Sequence, residues 1–251
     1  RVSRRRDAQM LVAQSFQCGD GRYPIRLMLD LEAETDRAFA DSLAEVLLRG
    51  AGAWARAVLW SMAGHAAVRC FDWHGDRDLD LLVGDGEGRV WCFVNEAGAD
   101  APAAFTRKEP VVAGDRAAWG RGYTGAVLHD CTADRLPDLI VAHSDNRVSI
   151  HQNVGTRKEP RFARECLDVV VQKGCQGRVD VADWDGDGRP DLITGAFGGD
   201  VQWHRNVGTK RTPEFAAGEP LCDIRIAYNS HPRIYDFDRD GTLDLLLGVN
   251  W

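Results

Sequence analysis

The chain alternates between short apolar runs and clusters of turn-forming polar residues, and the runs have the length and β-branched character of strands. From residue 68 onward the order repeats. Val68-Arg69-Cys70-Phe71, Leu81-Leu82-Val83, Gly88 to Asn95, and Phe105 with Val111-Val112 predict four strands. Gly125 to Leu128, Leu139 to Val141, Arg147 to Asn153, and Phe162 with Val169 to Val171 predict the next four. Arg178 to Val181, Leu192 to Thr194, Asp200 to Asn206 and Phe215 to Leu221 predict a third set, and Pro232 to Tyr235 with Leu245 to Leu247 open a fourth. Four short strands joined by tight turns make one antiparallel sheet. Such a sheet cannot bury both faces alone, so successive sheets must pack face to face; set radially, they form a propeller.

The turn between the first and second strand of each unit carries the chemistry. Asp183-Trp184-Asp185-Gly186-Asp187-Gly188-Arg189-Pro190-Asp191 places carboxylates at positions 1, 3, 5 and 9 and glycine at 4 and 6. Crowded hard oxygens need a cation, and Ca2+ suits a flexible cage of six to eight of them. The first half is EF-hand-like, but Thr194 stands where an EF-hand has its bidentate Glu, and strand residues follow instead of a helix. The loop recurs at 236–244, and in degenerate form at 72–80 and 130–138. First aspartates at 72, 130, 183 and 236 give steps of 58, 53 and 53 residues, a period that signals a solenoid, propeller or array.

The expected Ca2+ ligands are Asp183, Asp185, Asp187, Asp191 and the Arg189 carbonyl in one loop. In the other they are Asp236, Asp238, Asp240, Asp244 and the Thr242 carbonyl. Weaker sites are expected at Asp72, His74, Asp76 and Asp80, and at Asp130, Thr132, Asp134 and Asp138. There His74 and Thr132 replace the middle acid, and Arg77 and Arg135 replace the glycine whose positive φ lets the loop curl round an ion. The ion is expected to staple a blade, not to catalyse.

A second recurring segment follows the third strand: Asn153-Val154-Gly155-Thr156 to Pro160 and Phe162, and Asn206-Val207-Gly208-Thr209 to Pro213 and Phe215. Asn and Gly predict a tight turn with left-handed residues, and Phe returns the chain to the apolar layer. The small residues ending the second strands, Gly84, Ala142, Gly195 and Gly248, predict close backbone approach.

The D-x-D-G-D-G-x-x-D-L loop before a strand, the G-x-V strand and N-x-G-T…P-x-F together resemble the FG-GAP or VCBS repeat family. The resemblance is good from about 70 to 251 and weak over 1 to 50. It implies calcium-binding β-propeller blades related to those of integrin α-subunit heads, lectins and polysaccharide-active enzymes. It implies no activity, because function on a shared fold resides in grafted sites.

The expected architecture is all-β: a propeller of four-stranded antiparallel blades, about four to five units, as part of a larger ring. Residues 1–50 form a degenerate partial blade, 51–67 an inserted loop, 68–124, 125–177 and 178–231 full blades, and 232–251 a partial blade. In 1–50, Gln9 to Ala13 aligns with Asp80 to Gly84, and Pro24 to Leu29 reads as a strand. The start at Arg1 points to a processed product or a piece of a longer protein.

Size and charge refine this picture only slightly. The 251 residues are 44% apolar with a net charge of −7, which argues against a nucleic-acid surface. No apolar run is long enough to span a bilayer as a helix. The seven cysteines lack zinc or disulfide-framework spacing and read as small strand residues, as at Cys70 and Cys92. Dispersed histidines, with His151 and His204 at equivalent repeat positions, and the lack of a G-x-S-x-G elbow leave no catalytic constellation. The leading reading is a non-enzymatic, calcium-stabilised scaffold for other proteins, as a subunit of a larger complex. The alternative is carbohydrate recognition through loop tryptophans Trp54, Trp60 and Trp119, as a lectin-like propeller or non-catalytic module of a polysaccharide-active protein. Trp91 and Trp203 read as packing residues.

Overall fold

The computed structural model of the chain describes residues 12–13, 27–28 and 67–248, apart from 77–78, 86, 97–104, 116–121, 172–173, 176–177, 222–229 and 237–239. The described residues contain strands and turns without a helix. Near the N-terminus β1 (Val12–Ala13) pairs antiparallel with β2 (Leu27–Met28), inside the two segments that the sequence reads as strands. The inserted loop up to residue 66, and Trp54, Trp60 and Trp119, lie outside the described residues.

Three four-stranded antiparallel sheets follow. The first is β3 (Ala67–Phe71), β4 (Asp80–Gly84), β5 (Val90–Asn95) and β6 (Phe105–Pro110). The second is β7 (Gly125–His129), β8 (Asp138–Ala142), β9 (Arg147–His151) and β10 (Leu167–Val170). The third is β11 (Val179–Ala182), β12 (Asp191–Gly195), β13 (Val201–His204) and β14 (Glu219–Pro220). A pair, β15 (His231–Tyr235) and β16 (Asp244–Gly248), begins a fourth. Strands in each sheet lie in chain order, so each sheet is a meander. The fourth strand of the first sheet ends at Pro110, before Val111 and Val112; Val111 is buried just beyond it, and its amide donates to the Val90 carbonyl at 2.9 Å.

The sheets stack face to face through separate apolar layers. On β8, Leu139 and Val141 face the first sheet with Leu82, Val90, Cys92 and Phe162, whereas Ile140 and Ala142 face the third with Val148, Val179 and Leu192. Side chains on a strand alternate sides, so a strand buried on both faces reads as an unbroken apolar run. A further layer joins Ile193, Val201 and half-buried Trp203 to Ile234, Leu243 and Leu247.

The first strands run side by side: β7 packs on β3, β11 on β7 and β15 on β11. Glycine at the end of a second strand permits this approach. A Cβ at Gly84 would lie 1.9 Å from the Thr124 carbonyl oxygen, and one at Gly195 2.0 Å from that of Ser230. The next residue in each case binds the neighbouring sheet: Thr124 N donates to Asp85 O at 3.2 Å, and Ser230 N to Ala196 O at 3.1 Å. Gly195→Ala is therefore expected to push the third and fourth sheets apart and to cost about 1–3 kcal/mol, the usual scale of overpacking. Urea unfolding checks this as a lowered midpoint at unchanged slope.

Candidate metal centre

Each loop between a first and second strand is built on the carboxylate at position 1. Position 6 donates its backbone N–H to that carboxylate in three loops: Arg135 N to Asp130 Oδ2 at 2.9 Å, Gly188 N to Asp183 Oδ2 at 2.7 Å, and Gly241 N to Asp236 Oδ2 at 3.0 Å. Position 5 donates to the other oxygen in three: Asp76 N to Asp72 Oδ1 at 3.0 Å, Asp134 N to Asp130 Oδ1 at 3.2 Å, and Asp240 N to Asp236 Oδ1 at 3.0 Å. Position 7 donates to position 5, from Leu136 to Asp134, Arg189 to Asp187 and Thr242 to Asp240, at 2.7–2.9 Å. The backbone is left-handed where the sequence requires it, with φ of 74° at Gly186, 82° at Gly188 and 90° at Gly241. The degenerate loop keeps that path with ordinary residues, Ala133 at 54° and Arg135 at 70°.

The loop at 183–191 departs from its siblings in one respect. Asp187 N donates to Asp185 Oδ1 at 3.2 Å, so Asp183 Oδ1 is released from the position-5 amide and is buried without a hydrogen-bond partner. Oxygens of Asp183, Asp185 and Asp187 lie within 4.8 Å of one another. Two oxygens on one Ca2+ can be about 5 Å apart, twice a Ca–O bond, so this set fits a single ion. The orphaned oxygen, buried at a cost while it lacks a partner, is the atom a cation would satisfy.

Two guanidinium groups face this cluster. Arg189 pairs with Asp187 through its side chain and anchors its Nε on the Asn206 carbonyl at 2.8 Å, while Arg205 Nε meets Asp185 Oδ2 at 3.0 Å. These contacts balance part of the acidic charge, and a bound ion would compete with them. Sequence reasoning missed Arg205, which reaches the loop only through the sheet fold.

Position 9 has a different place from positions 1, 3 and 5. Asp80, Asp138 and Asp191 are buried at the head of the second strand. One oxygen of each accepts the amide of loop position 2 (Trp73 at 2.8 Å, Cys131 at 3.0 Å, Trp184 at 3.2 Å). The other accepts the amide of the Asn at or just beyond the end of the third strand (Asn95 at 2.7 Å, Asn153 at 2.9 Å, Asn206 at 2.7 Å). Desolvation outweighs these bonds and raises all three carboxyls, Asp138 to about 6. A nearby divalent ion would favour their charged forms.

The remaining expected ligands are placed as follows. In the loop at 236–244, Asp236, Asp240 and Thr242 share the backbone bonding above, Asp244 is half-buried at the head of β16, and Asp238 lies outside the described residues. In the loop at 72–80, Arg157 from the second sheet lies over the turn: its Nη2 is 3.8 Å from Asp72 Oδ2, and its Cγ would stand 2.9 Å from a Cβ at Gly75. His74 Nδ1 is 3.7 Å from Asp80 Oδ2. In the loop at 130–138, Thr132 and Arg135 stand where the neighbouring loop has Asp185 and Gly188.

The N-x-G-T segments owe their shape to side-chain bonding. Asn153 and Asn206 are buried and have ordinary φ; their Oδ1 atoms accept two backbone amides each, from Gly155 and Arg161 and from Gly208 and Glu214, at 3.0–3.2 Å. Their Nδ2 groups donate to the Pro137 and Pro190 carbonyls at 3.3 and 3.2 Å, which ties the segment to the loop. Gly155 and Gly208 are needed for space: a Cβ would lie 2.4 Å from the Glu159 or Thr212 carbonyl oxygen. The left-handed turn expected at Asn and Gly is thus replaced by a bonded Asn and a close approach.

Other residues singled out in the sequence have packing roles. His151 Nδ1 bonds the Ala163 carbonyl at 2.9 Å, and His204 Nε2 meets Thr194 Oγ1 at 3.2 Å. Trp91 donates its indole N–H to Asp85 at 3.0 Å, and the Arg205 guanidinium lies 4.7 Å over the Trp203 ring. Cys92 is buried as expected, but Cys70 on β3 is exposed.

A family model described as the FG-GAP-like repeat matches residues 130–194 and again residues 183–247. Each match runs from one loop through the second strand beyond the next, so the second begins one 53-residue period later. No curated protein matches the chain. Among solved structures, one described as the crystal structure of BBS1N in complex with ARL6DN, soaked with mercury, is 17% identical with a TM-score of 0.33. That match covers 73% of this chain, which spans 54% of the other's length. The chain carries FG-GAP-like repeats over residues 130–247.

Proposed function

We propose that the chain is a non-enzymatic β-propeller module, stapled by Ca2+ at its acidic loops, that serves as a scaffold for other proteins. The observation that carries the calcium reading is the buried, partnerless Asp183 Oδ1 beside Asp185 and Asp187. Asp183, Asp185 and Asp187 would hold the ion in that loop, with Asp191 behind them and the Arg189 carbonyl as a further donor. Asp236, Asp238, Asp240, Asp244 and the Thr242 carbonyl would do so in the next. The ion supplies a positive centre that joins the turn to the head of the second strand.

The scaffold reading draws on the edges of the sheets. β10 is the outer strand of its sheet and exposes Leu167 (39%) and Val170 (77%), and Val154 and Val207 are exposed at equivalent repeat positions. An edge with unpaired backbone and apolar side chains is a template for strand addition by a partner. Non-enzymatic behaviour is supported by the arrangement of Ser149, His143 and Asp168. Ser149 Oγ donates to Asp168 at 2.6 Å while His143 Nε2 lies 2.9 Å from the same Oγ. In a hydrolytic triad the acid orients the histidine and the histidine takes the serine proton. Here the acid takes it, so the imidazole is left to donate.

Saturating Ca2+ is expected to stabilise the chain by about 2.7 kcal/mol per site at a hundredfold excess over Kd. Calorimetric titration and melting with and without chelator check this; an unchanged melt and no binding heat would refute the calcium reading. Asp183→Asn should abolish binding at its loop. Arg205→Gln should tighten it roughly thirtyfold at low salt, since a unit charge some 4 Å from a divalent ion in water is worth about 2 kcal/mol. At the degenerate loop, Arg135→Gly should raise stability by about 1 kcal/mol by relieving the left-handed strain, read by urea unfolding. For the scaffold, Val170→Lys should strip co-purifying protein from the full-length chain while leaving its melting temperature in place. Turnover of a polysaccharide, or specific hits on a glycan array, would favour the carbohydrate reading instead.

A further inference from the structure

The fourth strands end their sheets on the outside, and two of them are guarded by proline. Pro110 of β6 lies opposite Trp91, and Pro220 of β14 lies opposite Gln202. At the equivalent repeat position, opposite Ser149 on β9, β10 has Asp168. The residue after each proline bonds inward: Val111 N donates to Val90 O at 2.9 Å, and Leu221 N to Val201 O at 3.0 Å. Inward and outward bonding alternate along an antiparallel strand, so each proline stands where an N–H would point to the open edge, and removes it. Asp168 keeps that donor.

The bonding phase of β10 is also fixed directly. Val171 N donates to Asn146 O at 2.9 Å, one step beyond the Val170–Arg147 pair. Leu167 and Val169 therefore bond inward to β9, and the N–H and C=O groups of Asp168 and Val170 point outward. Among the described residues β9 is the one neighbour of β10. Val170 is largely exposed and Leu167 partly so. Where β6 carries Arg107, Lys108 and Glu109, β10 carries Asp168 as its one charge. Such an apolar edge with free backbone groups is a template for another strand.

The strand that fits is β10 itself. Outward groups must meet outward groups, which leaves three antiparallel registers for two copies. With Asp168 opposite Asp168, like charges face each other, which destabilises the pair. With Val170 opposite Val170, only Val169 to Val171 are matched. With Asp168 opposite Val170, Val169 lies on the two-fold axis and Leu167 faces Val171. The amides of Asp168 and Val170 in each copy then donate to the Val170 and Asp168 carbonyls of the other. Arg147 Nη1, 3.6 Å from Asp168 Oδ2 within each copy, balances the carboxylate on that face.

We propose that β10 is a self-association edge, through which two copies of this chain join their second sheets as antiparallel strands about a two-fold axis at Val169. The proposal rests on the scaffold reading's open β10 edge and names a second copy as its occupant. The contact is self-complementary, the same patch on both partners, and so closes at a dimer. Strands this short bury less than the about 1,200 Å2 of a stable complex, so the dimer forms reversibly with concentration.

The test is sedimentation velocity of the full chain over a concentration series, where a reversible monomer–dimer equilibrium is expected. Asp168→Pro, which copies the guard of the neighbouring sheets, should raise the dimer dissociation constant roughly thirtyfold, the loss of one amide donor from each copy. Where that variant does not fold, Val169→Cys takes its place. Mild oxidation should then link two copies through this position, where the side chains of a non-hydrogen-bonded pair lie close, and peptide mass spectrometry locates the disulfide. A dimer unaltered by Asp168→Pro, or a disulfide formed only elsewhere, would overturn the proposal. A chain that stays monomeric at every concentration overturns it too. In that case a bound foreign protein stripped by Val170→Lys leaves the scaffold reading standing, and a Val170→Lys variant that strips nothing removes both.

Discussion

The structure depends on a buried carboxylate that faces two ways. Asp80, Asp138 and Asp191 each start a second strand, and each holds the second residue of its loop with one oxygen and the end of the third strand with the other. Loop, second strand and third strand therefore close together or not at all. Removing such a charge from water is costly, and bonds from two backbone amides recover part of that cost. The raised carboxyl of Asp138, at about 6, shows that the recovery is incomplete without further positive charge.

From that point order spreads outward through the asparagine that ends the third strand. Its amide is held by the carboxylate, and its side chain collects two amides of the following segment and returns a donor to the loop's proline carbonyl. The segment then delivers Phe162 to the layer between sheets. A motif that looks like two separate signatures in the sequence, an acidic loop and an N-x-G-T turn, is one hydrogen-bonded unit. This explains why the two recur at constant separation. It also explains how sheets so thin can stack: each brings a rigid corner to a pair of apolar faces.

The repeat made much of this legible. Second strands such as Leu139 to Val141 were visible because burial on both faces leaves a continuous apolar run, and Gly84 and Gly195 were visible because no other residue fits against a neighbouring carbonyl. The closeness of the carboxylates at positions 1, 3 and 5 was also legible, and in one loop the structure brings oxygens of Asp183, Asp185 and Asp187 within 4.8 Å of one another. What spacing could not show is that position 9 accepts amides whose positions only the folded sheet defines. The same holds for Arg205 and Arg157, which reach acidic loops from segments beyond the third strands, and for Arg69, whose Nη2 donates to the Val179 carbonyl 110 residues away. Local spacing reports what a segment can do alone; it does not report what the next sheet lays across it.

The degenerate loop at 130–138 separates the two roles that the acidic residues combine. Asp130 accepts the amides of Asp134 and Arg135 much as Asp236 accepts those of Asp240 and Gly241, although Thr132 has replaced an acid. Its backbone follows the same left-handed path at Ala133 and Arg135, where glycine would be unstrained. The hydrogen-bonded frame thus persists where the acidic set is incomplete, at the cost of local strain. What has changed is at positions 3 and 6; what has been kept is at positions 1 and 9, whose carboxylates accept backbone amides. The frame belongs to the fold, and the acidic set proposed to hold an ion is built upon it.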